Sequence, residues 1–109
     1  MFKLLEDPQF THDAAISVPV DGGHEEQTLK ARFRVISDDE AAEFDATTTD
    51  GLTQFLRRVV VRIDDVVDEA GEQIVWSEQL YEQLLGIAYV RLGLWQGYLK
   101  GIVGARLGN

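Results

Sequence analysis

The chain contains no cysteine, which removes disulfides, thiolate nucleophiles and thiolate metal sites together and fits a reducing, cytoplasmic setting. Histidine is almost as scarce. His12 and His24 are the only imidazoles, too few for a His-based zinc site with three or four convergent ligands. Both are expected in or beside turns, exposed to solvent. Positive charge is also in deficit, with 10 Lys and Arg against 19 Asp and Glu and a formal net charge of −9. Phosphate backbones and anionic lipid surfaces should repel such a chain, so neither nucleic acid nor a membrane is an expected partner. DNA mimicry would need carboxylates spread over one surface, whereas basic residues are interleaved here in several stretches.

Long uncharged apolar runs are missing as well. The most apolar stretch, from Gly86 to Gly108, is interrupted by Arg91, Gln96, Lys100 and Arg106, and charges inside a bilayer span are costly. The start, Met1-Phe2-Lys3-Leu4-Leu5-Glu6-Asp7-Pro8, lacks the extended apolar core of a signal peptide. No Gly-x-Ser-x-Gly elbow, phosphate loop or dinucleotide fingerprint occurs. The acidic stretch Asp64 to Glu72 does not have calcium-loop spacing, because Val66, Val67 and Ala70 interrupt the alternating acidic positions. The expectation is a non-enzymatic protein with no catalytic, cofactor-binding or metal residues.

What is present is the balance of a folded protein: 45% apolar and 27% charged residues in 109, near the commonest size for one domain, here residues 1–109. Ala14 to Val20 is β-prone and runs into Asp21-Gly22-Gly23, a turn signal. In the following Leu29-Lys30-Ala31-Arg32-Phe33-Arg34-Val35, apolar residues alternate with basic ones. That period of two predicts a half-buried strand with Leu29, Ala31, Phe33 and Val35 inward. Pro19, which has no amide donor, suits an edge strand.

Ser37 is placed to cap a short helix, with Glu40 three residues on able to close a capping box. From Leu52 the apolar positions Phe55, Leu56, Val59, Val60, Ile63, Val66 and Val67 follow the three-and-four spacing of one helix face. They predict a helix carrying Arg57, Arg58 and Arg62 on its other side, despite the low helix propensity of Val59-Val60-Val61. Ser77 should cap the next helix, with Trp76 and Tyr81 as a hydrophobic staple. After a break near Gly86 to Ala88, a final helix is expected over about Tyr89 to Leu107, ending at Gly108-Asn109. The fold class read from this order is α+β, an N-terminal antiparallel hairpin or small sheet packed on a C-terminal bundle of three to four helices.

The final helix is the unusual one. Gly93, Gly97 and Gly101 recur every fourth residue, and each helical glycine costs about 1 kcal/mol relative to alanine. A glycine groove lets another segment approach closely, and Tyr89, Leu92, Leu94, Trp95, Tyr98, Leu99 and Ile102 make the helix apolar on most sides. Its cover is either the chain's own hairpin and helices, a second copy of the chain, or a partner helix. The candidate protein-binding residues are Gly93, Trp95, Gly97 and Gly101, together with Arg58 and Arg62 from the basic stripes, which could meet an acidic or helical partner. Those stripes, including Lys30, Arg32 and Arg34, also read as solvent faces paired with neighbouring carboxylates.

Three blocks together resemble a known family. Val18-Pro19-Val20-Asp21-Gly22-Gly23 leading to Leu29–Val35, Arg57-Arg58-Val59-Val60-Val61 leading through Asp64–Gly71 to Trp76-Ser77, and the closing Gly104-Ala105-Arg106-Leu107-Gly108-Asn109 are similar to small tail assembly chaperones of long-tailed (siphovirus-type) bacteriophages and prophages. The resemblance implies a protein of the host-cell cytoplasm that binds the tape measure protein, keeps it soluble and helps recruit tail tube protein subunits. It transfers no catalytic residue and no single contact residue. The alternative is a structural tail completion or head-tail joining protein, retained in the virion.

Overall fold

A computed structural model of the chain describes residues 1–104. Two twelve-residue strands, β1 (Gln9–Val20) and β2 (Gly23–Arg34), form a long antiparallel hairpin, and a short β3 (Val60–Asp64) completes a sheet in the order β1-β2-β3. The helices are α1 (Asp38–Ala41), α2 (Thr49–Val59), α3 (Glu78–Leu85) and α4 (Ala88–Val103). The class is therefore α+β, with a three-stranded antiparallel sheet and four helices among the described residues.

The hairpin follows from its alternation. Ala14 and Ile16 on β1 and Leu29, Ala31 and Phe33 on β2 are buried, while Lys30 and Arg32 between them are exposed. Val20 pairs with Gly23 across a two-residue turn in which Gly22 takes φ +84°, a conformation that costs glycine no Cβ clash. Pro19 lies on β1, an outer strand of the sheet, as its missing donor requires. His12, expected near a turn, lies instead inside β1 and is half-buried; its ring comes near Gly97.

The segment from Leu52 departs from its predicted form. The helix stops at Val59, and the next residues pair with β2 as β3, with Ala31 opposite Ile63 and Arg32 opposite Arg62. The register shifts before Phe33, which pairs with Val60 and leaves Val61 as the extra residue of a bulge. The β-branched run 59–61 favours extended backbone, and the open edge of β2 supplies the hydrogen-bond partners. Helical and strand periodicities both put Ile63 inward, so the apolar pattern could not separate them. Arg62 consequently sits on β3, not on a helix beside Arg58.

Caps hold the helices where they start. Ser37 Oγ accepts from the Glu40 amide at 3.2 Å, Thr48 Oγ1 from the Gly51 amide at 3.0 Å, and Ser77 Oγ from the Leu80 amide at 3.0 Å. The capping box at α1 does not close, because the Glu40 carboxylate is taken by Arg58. Trp76 and Tyr81 pack as tilted rings at a centroid distance of 5.1 Å, and the Tyr81 hydroxyl, 3.1 Å from both the Leu56 and Val60 carbonyls, ties α3 to the junction of α2 and β3. A break at Gly86-Ile87 separates α3 from α4. α4 ends earlier than expected, at Val103, where Gly104 turns to φ +83° and its amide bonds the Lys100 carbonyl. The predicted ending through Leu107 to Gly108-Asn109, like the family-like residues Ala105 to Asn109, lies outside the described residues.

Candidate protein-interaction surface

α4 lies across the sheet on β1, and its glycines set the distance. A Cβ on Gly93 would sit 2.4 Å from Ile16 Cδ1 and 2.9 Å from the Ala15 carbonyl oxygen. On Gly97 it would meet Ala14 Cβ at 3.0 Å. On Gly101 it would overlap the Phe10 ring. The residues met, Phe10, Ala14 and Ile16, share one face of β1, so the helix follows the strand for two turns with nothing but hydrogen between the backbones at its closest points. The contact offsets the propensity cost of three helical glycines.

This places the groove where a partner cannot enter. Gly93 and Gly97 are buried and Gly101 half-buried beneath the chain's own β1, so the glycine stripe works as an internal seam. Of the covers open to Gly93, Gly97 and Gly101, the chain's own hairpin is the one in place, with Phe10, Ala14 and Ile16 against them.

Trp95 lies nearly opposite Gly97 on the helix, at 100° per residue. One side of its indole packs edge-on against Phe55 at 5.1 Å, in an aromatic cluster where Tyr98 also contacts Phe10, Phe33 and Phe55. The rest of the ring borders solvent, and beside it Leu92, Leu99, Ile102 and Val103 are 41–54% exposed. Their spacing of 92, 95, 99 and 102 is that of a single helix face. Leu94 and Val90 complete the buried side. α4 is thus apolar on two opposite faces, one closed by the sheet and one open.

Arg58 and Arg62 are not part of that surface. Arg58 on α2 forms a two-pronged pair with Glu40, and its carbonyl accepts from Arg34 Nη1 at 3.3 Å. Arg62 Nε donates to Asp64 Oδ2 at 2.8 Å. These hydrogen bonds raise both guanidinium pKa values and lower that of Asp64 below the ordinary aspartate range. Arg57 pairs with Glu82, Arg34 with Asp7 at 3.0 Å, Lys30 with Asp65 at 4.0 Å, and Arg32 bonds Gln9 and Thr11, both at 3.1 Å. The basic stripes are therefore engaged within the chain, as ordinary surface pairs of small energetic weight.

The acidic turn after β3 is also self-sufficient. Asp68 Oδ1 accepts from the Ala70 amide at 2.9 Å and the Glu72 amide at 3.0 Å, and Gly71 takes φ +82°. Among the described residues no group of three or more His, Asp or Glu side chains is placed to hold a metal ion, and no helix is long and apolar enough to cross a membrane.

Leu92, Leu99, Ile102 and Val103 are the surface residues that the glycine pattern concealed. The signal was available: glycines four apart mark the closest approach of a covering segment, and the positions half a turn away then become the outward side. The chain matches no protein-family model, no curated protein and no solved structure.

Proposed function

We propose that the protein is a non-enzymatic tail assembly chaperone of a long-tailed phage or prophage, which binds the tape measure protein in the host cytoplasm and helps recruit tail tube subunits. The observation that carries this reading is the open face of α4, formed by Leu92, Leu99, Ile102 and Val103 beside Trp95. A tape measure protein is a long helix with exposed apolar stripes, and such a helix gains most by laying its stripe against a second apolar surface. The sequence resemblance of Val18–Val35 and Arg57–Ser77 to that family supports the same partner.

Co-expression with the tape measure protein encoded nearby is the test. The account expects that protein to become soluble and to co-purify, and expects Leu92→Lys with Leu99→Lys to abolish capture while the fold persists. A tape measure protein that stays insoluble and unbound would remove the proposal's main support. Mass spectrometry of purified virions separates the chaperone, which should be absent, from a tail completion or head-tail joining protein, which should be present.

A further inference from the structure

The hairpin outruns its third strand. β3 pairs with β2 only from Lys30 to Phe33, whereas β2 extends on to Gly23. Past Lys30, the side of β2 that faces β3 carries no paired strand among the described residues. The chain leaves the sheet there because Asp65 adopts φ +63°, a left-handed conformation that aspartate tolerates better than most residues and that cannot continue a strand.

The pairing fixes which backbone groups are left. A two-residue turn closes on a hydrogen-bonded pair, here Val20 and Gly23, and bonded and non-bonded pairs alternate from it. Gln27 and Leu29 therefore bond to β1, while Glu26 and Thr28 direct their N–H and C=O outward, on the same side as Lys30 and Arg32, which meet Asp64 and Arg62 of β3. Pro19 falls on a non-bonded pair, as it must. Glu26 and Thr28 thus form an open strand edge, a template for one more strand.

Beside this edge lies a cavity of about 300 Å³. Ile16, Val18, Leu84 and Val90 form its apolar floor, and Val66 and Val67 one wall. A strand added along Glu26–Thr28 would direct the residues opposite Gln27 and Leu29, two positions apart, toward that floor. The residues between them would face solvent beside Glu26. Asp65 lines the cavity and pairs with Lys30 at 4.0 Å, while Glu25 and Glu26 on the strand and Asp68, Glu69 and Glu72 on the turn that follows Val67 leave the neighbourhood with an excess of negative charge.

We propose that this edge and cavity are a second docking site, which takes an extended segment of another protein with alternating apolar and basic residues as a fourth strand of the sheet. The acidic surroundings favour a basic segment over a second copy of this chain, whose own β2 edge carries Glu25 and Glu26. The site does not depend on the tape measure reading, because it lies on the hairpin edge and not on the open face of α4.

The test is a titration of the full ¹⁵N-labelled chain with the acetylated, amidated heptapeptide Lys-Val-Lys-Val-Lys-Val-Lys at low salt, with the Glu-Val analogue as control. Shifts should centre on Glu26 to Leu29 and Asp65 to Val67, with slowed exchange of the Glu26 and Thr28 amides. Thr28→Pro removes an outward amide at a position where an edge strand accepts proline, and should weaken binding at least ten-fold. Val67→Lys, at an exposed wall residue, should do the same without touching β2, and decides the matter if the proline variant fails to fold. Absence of binding, equal binding of the glutamate peptide, shifts confined to Leu92–Val103, or full affinity of the folded variants would each overturn the proposal.

Discussion

Both faces of α4 are uncharged, and their fates are opposite. One carries Gly93, Gly97 and Gly101 and is closed by Phe10, Ala14 and Ile16 of β1. The other carries Leu92, Leu99, Ile102 and Val103 and is open. Burying a large aliphatic side chain is worth about 1.5–3 kcal/mol, so side-chain burial alone favours the face with the larger apolar side chains as the inner one. It is the glycine face that closes, because close approach over two helical turns lets Tyr98, Leu94 and Val90 reach the sheet and the aromatic cluster. What a helix buries depends on how near its backbone can come as well as on what its side chains offer.

Substitutions on the two faces should therefore separate stability from binding. Gly97→Leu forces a branched side chain into the space held by Ala14, and should destabilise by about 3 kcal/mol or more, or prevent folding; denaturant unfolding reads it. A Gly97→Leu protein as stable as its parent would break the comparison at its strongest point. Gly93→Ala is milder. Its Cβ would stand 2.9 Å from the Ala15 carbonyl oxygen, a backbone atom, so overpacking outweighs the gain in helix propensity and a net loss of about 1–2 kcal/mol is expected. Gly97→Ala, with its nearest neighbour at 3.0 Å, should change stability by less than Gly93→Ala in the same assay.

Alkali should act on two partly buried hydroxyls, Tyr98 on α4 and Tyr81 on α3. Burial raises the hydroxyl pKa of Tyr98, and that of Tyr81 from 10.0 to about 12. A folded-state pKa above the unfolded value means that the contribution is complete below pH 10 and is lost as pH rises from there toward about 12. Unfolding midpoints should fall over that window while tyrosinate absorbance at 295 nm grows. A midpoint unchanged between pH 10 and 12 would contradict the burial of these hydroxyls. The smallest stability change, within about 0.5 kcal/mol, belongs to the open face: Leu99→Lys exchanges one solvent-exposed side chain for another. Its effect should appear in partner capture alone.

Much of this arrangement was readable in the residues. The hairpin, the Asp21-Gly22 turn and the caps at Ser37 and Ser77 each follow from a local rule, and the structure contains them. β3 was not readable, because Val59, Val60 and Ile63 satisfy a helix face and a strand face alike, and the decision rests with the vacant edge of β2 far away in sequence. The candidate surface was half legible. Helical spacing predicts α4 to be apolar on most sides, but local sequence does not say which side a distant strand will cover. Trp95 belongs partly to both sides, packed on Phe55 and bordering solvent. Helical spacing predicts Arg58 and Arg62 as one stripe, and β3, in place of the second half of that helix, separates them.

The absence of native cysteine allows the two faces to be compared directly by thiol labelling. Single substitutions Ala14→Cys, under Gly97, and Leu99→Cys, on the open face, would be labelled under native conditions with and without co-purified tape measure protein. The account predicts that Leu99→Cys reacts quickly in the free protein and is protected in the complex, while Ala14→Cys is protected in both. Rapid labelling of Ala14→Cys in the folded free protein, or a Leu99→Cys that stays equally reactive in the complex, would contradict it.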